Sequence, residues 1–254
     1  MDKLLTTINT VKLSILALAL TLSSFVFADQ SQEESPKSNN QITLVETATT
    51  FRYNTPPRLS MVLAEALHTL TYNPYYLGAA LVDETQQQDF MRFKQNVMDQ
   101  LAMAKTFSTE KMRSQLQHTA FTKKETLSLD YDIVRVFPKK NPLLKGHFKL
   151  YLPKRPHDIM VYGAIQSTTP INLALQDGSS LQAYLPEIPF YNVAMNTTIW
   201  IIEPDQTIDQ IQNIHQQKQP TYLAPGAIIY IASNEIPEQL NQNIVTLLQN
   251  RLEK

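Results

Sequence analysis

The sequence predicts an α+β fold built from two small modules in tandem. Two observations carry this: a paired-strand signal feeding a short apolar helix occurs twice, and alternating, strand-like runs follow each copy. In the first copy, Ile42-Thr43-Leu44-Val45 and Phe51-Arg52-Tyr53 flank a polar turn, and Pro56 to Leu67 has the composition of a helix. In the second, Ile159 to Ile165 leads through Ser167-Thr168-Thr169-Pro170 to Leu173-Ala174-Leu175, and Ser179 to Leu185 supplies the helix.

The remaining elements follow in chain order. Lys3 and Lys12, the apolar stretch Leu13 to Leu22 and the small-residue end Val26-Phe27-Ala28 have the layout of a secretory signal peptide over residues 1–28, with cleavage expected after Ala28. The apolar run is shorter than the roughly 20 residues that a membrane-spanning helix needs. Residues 29–40 are polar and read as a flexible leader. Within the first module, residues 41–154, a helical hairpin is inserted at about 84–121. Its first helix places Phe90, Phe93, Val97, Leu101 and Ala104 on one stripe behind the cap-like Asp83-Glu84-Thr85-Gln86, and its second, starting near Ser108, carries Met112 and Leu116.

Strand signals resume over Thr126 to Phe137 and, after a polar turn, over His147 to Leu152, and Pro153-Lys154-Arg155-Pro156 reads as a module boundary. The second module, residues 155–233, closes with Thr198 to Ile202 and Pro225 to Ile231. Residues 234–254 hold an amphipathic helix with Leu240, Ile244, Leu247 and Leu248 on one face and Asn241, Gln242, Asn243, Gln249 and Asn250 turned away.

Composition narrows the function. Cysteine is absent, so there are no disulfides, thiolate ligands or lipid-bearing cysteines, and an exported chain of this kind fits a bacterial periplasm. Five glycines, all isolated, exclude glycine-rich phosphate and dinucleotide loops, and no cofactor is expected. The net charge of −1 becomes about −2 without Asp2, Lys3 and Lys12, which argues against nucleic acid and disfavours acidic membrane surfaces.

Catalytic signatures are missing: there is no Gly-x-Ser-x-Gly elbow and no His-Glu-x-x-His, and the histidines at 68, 118, 147, 157 and 215 fall in different elements. No metal site is expected. Asp130 and Asp132 are the best carboxylate pair, placed by period two on one face of a strand with Arg135 on the other. Glycosidases use two such groups, although acidic residues on a solvent-facing strand are the commoner case. Tyr72, Tyr75 and Tyr76 around Asn73-Pro74 either stack on sugar rings or cap the first core. Trp200, between two isoleucines, reads as core. The C-terminal helix is too short to cross a bilayer and its polar face is not basic. It either docks on the protein's own sheet or enters a partner's groove through Leu240, Ile244, Leu247 and Leu248. On the second reading, deletion of residues 235–254 leaves both modules folded.

Three stretches together resemble the GfcC family of capsule biosynthesis proteins over nearly all of the chain after the signal. They are Pro57-Arg58-Leu59 with Tyr75 to Asp83; Asp132 to Val136 with Asn141 to Gly146 and Leu150-Tyr151; and Pro225 to Ile231 with Leu240 to Arg251. The resemblance implies a periplasmic protein with two tandem β-grasp domains, a helical hairpin inserted in the first and an amphipathic C-terminal helix. Its domains are similar to the SLBB-like β-grasp modules of Wza-type outer-membrane exporters. The implied partners are a surface polysaccharide, the outer-membrane export channel, or both, and no reaction is implied. Where the family carries a cleft arginine in a Thr-Gly-Arg stretch, this chain reads Thr122-Lys123-Lys124, so Lys124 supplies the charge without the two-pronged guanidinium. Lys124, Arg135, Tyr75 and Tyr76 are thus the candidate ligand-binding residues. The alternative is a glycan-modifying enzyme using Asp130 or Asp132 beside Lys124.

Overall fold

A computed structural model describes residues 39–190, 198–213 and 219–252. The expected signal peptide and nearly all of the leader lie outside these residues. The described part forms one unit with two sheets and helices, a mixed α+β architecture.

The first sheet has four strands in the order β2-β1-β4-β3. Strands β1 (Asn40–Leu44) and β2 (Thr49–Tyr53) form an antiparallel hairpin, and β4 (His147–Tyr151) lies parallel to β1 with Ile42 opposite Phe148. Period-two alternation sends Ile42, Leu44, Phe148 and Leu150 to one face, where Leu59, Val62, Leu63 and Ala66 of helix α1 (Leu59–Thr69) cover them. Strand β3 (Ala80–Asp83) closes the other edge of the sheet, and its four residues are buried. It was not foreseen, because burial on both faces removes the alternation that marks a strand.

The hairpin insert is present as helices α2 (Gln87–Ala104) and α3 (Phe107–Gln117). Thr106 caps α3 through a reciprocal pair of bonds with Thr109. The strand expected over Thr126 to Phe137 does not form. Residues 122–130 run without regular structure beside β3, where the Glu125 amide donates to the Leu81 carbonyl at 2.8 Å, and Tyr131–Val136 is a short helix, α4. The Asp130 carboxylate accepts from the amides of Asp132 (2.9 Å) and Ile133 (3.3 Å), a cap that outweighs the apolar alternation, and Pro138 stops the helix.

The second sheet orders its strands β6-β5-β9-β7-β8. Strands β5 (Asp158–Gly163) and β6 (Ile171–Ala174) are an antiparallel hairpin, the short helix α5 (Leu181–Tyr184) follows, and β9 (Ile228–Ile231) lies parallel to β5. Strand β7 (Ile199–Ile202) pairs antiparallel with β9 and with β8 (Ile208–Ile211), a polar edge strand the sequence pattern did not reveal. This sheet is buried on both faces. Ile159, Val161, Ile201 and Ile229 pack with Leu181 and Tyr184, while Tyr162, Ile202, Ile228 and Tyr230 pack against α2, α3 and the C-terminal helix α6 (Glu238–Gln249). Trp200 is half-buried at that second core.

The helical hairpin therefore leaves the first sheet and roofs the second. Gln115, 1% exposed, fastens it there: its side-chain oxygen accepts from the Gly163 amide (2.8 Å) and its amide donates to the carbonyls of Gly163 (3.1 Å) and Ser167 (2.9 Å). Gly163 sits at φ +107°, and a Cβ there would lie 2.0 Å from the Ile231 carbonyl oxygen, so only glycine fits.

Two residues expected on the solvent face of α6 are buried instead. The Asn241 side-chain oxygen accepts from the Tyr230 hydroxyl (2.7 Å) and the Ser233 amide (3.1 Å), and its amide donates to the Ser233 carbonyl (3.0 Å). Asn250 accepts from the Lys124 amide at 2.9 Å and donates to the Thr246 carbonyl. Both are buried polar groups with their bonding capacity largely filled, which makes burial tolerable.

Candidate functional site

A cleft of about 1100 Å³ lies where the two sheets and the end of α3 converge. The turn after β1 brings Val45 and Glu46, β4 brings Tyr151, the connection to β5 brings Lys154 and Arg155, and the second sheet brings Asp158, Met160, Tyr162 and Asn172. His118, Thr119 and Ala120 at the end of α3, with Arg251 and Leu252 from the C-terminus, complete the wall. Tyr72 joins them from the loop behind α1.

A chain of bonds stiffens one side. Tyr72 donates from its hydroxyl to the Leu152 carbonyl (2.8 Å), and the Leu152 amide donates to Glu46 (2.8 Å). The Lys154 ammonium lies 5.1 Å from the centre of the Tyr72 ring, a cation–π contact. On the other side the buried Tyr162 hydroxyl meets the Thr119 hydroxyl at 3.1 Å. Desolvation raises the phenol pKa of Tyr72, Tyr151 and Tyr162, and the nearby Glu46 carboxylate adds to the rise at Tyr72 and Tyr151. All three phenols thus stay protonated at neutral pH and offer hydroxyls rather than charge. Glu46 sits at the exposed mouth, yet crowding by the cleft walls lifts its carboxyl pKa despite the Leu152 bond.

Flat half-buried rings, cations and hydroxyls on the wall of an open cleft suit a polyhydroxylated ligand. Tyr72 and Tyr151 contribute aromatic rings to the lining, and Lys154, Arg155, Asn172 and Arg251 contribute nitrogen donors. Among the described residues, no three His, Asp or Glu side chains come together as a metal would need.

The residues singled out from sequence lie elsewhere. Lys124, 9% exposed, lines a separate cavity of about 20 Å³ with Glu203, and Arg251 and Gly226 border both this cavity and the cleft. Tyr75 is half-buried behind the cleft, its amide donating to the Pro153 carbonyl at 2.8 Å. Tyr76, in a single helical turn with Leu77 and Gly78, has a phenol pKa raised first by burial and then by Asp130 and Asp132, so these three groups are neighbours.

The carboxylate pair is not on a strand face. Asp130 caps α4, and Asp132 on its first turn pairs with Arg135 at 2.9 Å, three residues along the same helix. Arg135, expected on the opposite face, is therefore Asp132's partner, and its guanidinium also approaches the Tyr131 ring. None of the three lines the cleft.

Partner insertion through α6 is likewise corrected. Leu240, Ile244, Leu247 and Leu248 are 0–3% exposed and belong to the core shared with α2 and α3, so the helix docks on the protein's own body. Of the cleft residues, Tyr151 was legible in principle: in β4 it shares parity with His147 and Lys149, opposite the inward Phe148 and Leu150. Lys154 and Arg155 lie between Pro153 and Pro156, where the sequence pattern marks only a module boundary.

Family models decide the relationship. The model described as capsule biosynthesis GfcC, N-terminal, matches residues 39–155, and the corresponding C-terminal model matches residues 169–253. The chain belongs to the GfcC capsule biosynthesis family. A relative in Escherichia coli K12, described as uncharacterized protein YjbG, is 26% identical over 192 residues, covering 71% of this chain and 78% of that protein. The N-terminal GfcC match takes in the first sheet and the whole helical hairpin, and the C-terminal match takes in β6 through α6. The cleft draws lining residues from both matched regions and from the connection between them.

Proposed function

We propose that this chain is a periplasmic accessory protein of surface-polysaccharide biosynthesis and export that holds the glycan in the cleft between its two sheets. The observation that carries the reading is the cleft itself, with Tyr72 and Tyr151 as stacking platforms among the cations Lys154, Arg155 and Arg251. The family's description supplies the process. On this reading each sheet is a β-grasp: a hairpin, a helix across one face, and a later strand returning parallel to the first strand of the hairpin, as β4 does to β1 and β9 to β5. The protein acts by binding, presenting polymer to an outer-membrane channel, and the amino-terminal segment directs its export.

Gel filtration of the chain from Asp29 onward with surface polysaccharide from its own source tests this. Co-elution with polymer of unchanged length is the expected result. Shortened polymer would overturn the binding role in favour of hydrolysis and direct attention to Glu46 and Asp158, the two carboxylates of the cleft. Separate elution would remove the glycan and leave the channel as the partner.

A further inference from the structure

Around the start of α1 and the end of α4, exposed apolar side chains are set among cations. Val136 (59% exposed) and Phe137 (54%) end α4, Leu143 (56%) follows the turn, and Met61 (48%) stands on the first turn of α1. Hydrogen bonds make this one surface. The Asn141 side chain accepts from the Ser60 amide (2.9 Å) and donates to the Ser60 hydroxyl (2.8 Å), Arg58 donates to the Asn141 carbonyl (2.9 Å), and Arg58 bridges to Leu143. The turn Pro138–Lys140 and Pro142 stiffen the connection, so the apolar groups are displayed at little further entropic cost.

Residues 136–146, Val-Phe-Pro-Lys-Lys-Asn-Pro-Leu-Leu-Lys-Gly, contain no acid. Lys139, Lys140 and Lys145 are exposed, as is Arg58, and the nearby Asp132 is neutralised by Arg135. The chain is close to neutral as a whole, yet this tip is cationic.

We propose that this tip docks on an anionic lipid bilayer, with Phe137, Leu143, Val136 and Met61 entering the headgroup boundary and Lys139, Lys140, Lys145 and Arg58 meeting lipid phosphates. Two arguments favour lipid over a protein partner. Protein interfaces are depleted in lysine, whereas interfacial membrane sites combine lysine with exposed Phe and Leu. Contiguous exposed apolar groups also mark interaction surfaces rather than ordinary solvent contact. The net charge that disfavours acidic membranes averages this tip with the acidic residues elsewhere. Of the tip's residues none lines the cleft, so glycan and lipid binding are separable.

The test is vesicle sedimentation of the chain from Asp29 onward, which keeps the compact unit 38–254 and removes the apolar segment 1–28, whose own lipid affinity would mask the tip. Vesicles of phosphatidylglycerol and phosphatidylcholine are compared with phosphatidylcholine alone. Binding to the anionic vesicles that weakens with salt is expected. The Lys139→Gln/Lys140→Gln variant should bind roughly thirtyfold more weakly, at about fivefold per lost cation, and Phe137→Ser/Leu143→Ser should also lose binding. These side chains are exposed, so folding is retained. Absent or salt-independent binding, or variants that bind like the parent, would overturn the proposal. So would patch-dependent dimerisation by sedimentation velocity without vesicle binding, which would give the surface to a second copy.

Discussion

Replacing Gln115 by leucine removes the clasp between the helical hairpin and the second sheet while keeping similar volume and length. The Gly163 amide then loses its partner inside the fold, whereas the Gly163 carbonyl keeps the Ile165 amide at 2.8 Å. At about 1–3 kcal/mol for one orphaned buried group, the loss is about 1–3 kcal/mol. The Ser167 carbonyl is left out because Ser167 has access to water. Against a total of about 5–15 kcal/mol for an ordinary domain, this is a sizeable share. Urea unfolding followed by tryptophan fluorescence should show the midpoint falling by about 0.5–1 M, given a slope of about 2–3 kcal/mol/M. Trp200, at the core the hairpin covers, is the reporter. Gln115→Glu should be worse than leucine at neutral pH, since a carboxylate would face two carbonyl oxygens, and should recover on acidification. Glycan affinity should fall in both variants, because Gln115 lies one turn before the cleft residues His118 and Thr119. A leucine variant as stable as the parent would refute the claim that this clasp holds the hairpin on the sheet.

Three further outcomes are expected. Tyr72→Ala and Tyr151→Ala should each weaken polysaccharide binding by about 5–30-fold in isothermal titration, the range for an aromatic stacking partner, whereas Asp132→Asn should not. Removing residues 235–254 should unfold the protein, as read by circular dichroism. Leu240, Ile244, Val245, Leu247 and Leu248 are buried, and at about 2 kcal/mol each their burial totals about 10 kcal/mol, comparable with the whole stability. Glu203 has its carboxyl pKa raised chiefly by burial, with Asp205 and Asp209 adding to it, although the Ala224 amide donates to it. A carboxyl with a higher pKa folded than unfolded destabilises above its folded pKa and ceases to do so below its unfolded value. Glu203→Gln should therefore raise the thermal midpoint at pH 7, and the gain should vanish as pH falls below about 4.

Much of the fold was legible because its periodicities are clean. The hairpins at Ile42 to Tyr53 and Ile159 to Leu175 alternate, the insert helices carry 3.6-residue stripes, and α6 is amphipathic. Local chemistry defeated the reading at α4. Leu127, Leu129, Tyr131 and Ile133 keep a strand period, but Asp130 caps a helix and takes the amides of Asp132 and Ile133. Asn241 and Asn250 were assigned to solvent on residue type alone, and what overrides type is the partners they meet inside. The cleft was invisible for a different reason: its lining runs from Val45 to Leu252, and such groups converge only once the chain has folded. Asp130, Asp132 and Arg135 attracted notice because they are close in sequence, which is what makes them a helix cap and a surface ion pair.

A chain made from its amino end completes the hairpin long before anything exists to cover it. Lys124 waits for Asn250, 126 positions later, before the strap behind the hairpin can close. Until then Phe90, Val97, Leu101, Met112 and Leu116 form a sticky ridge with no counterpart, and the late arrival of α6 makes folding slow and exposed to misassembly. Cutting the chain at Pro153–Pro156 would leave one fragment with an uncapped ridge and the other with a bare sheet. Neither half should be soluble alone, and the two made together should find each other through the hairpin.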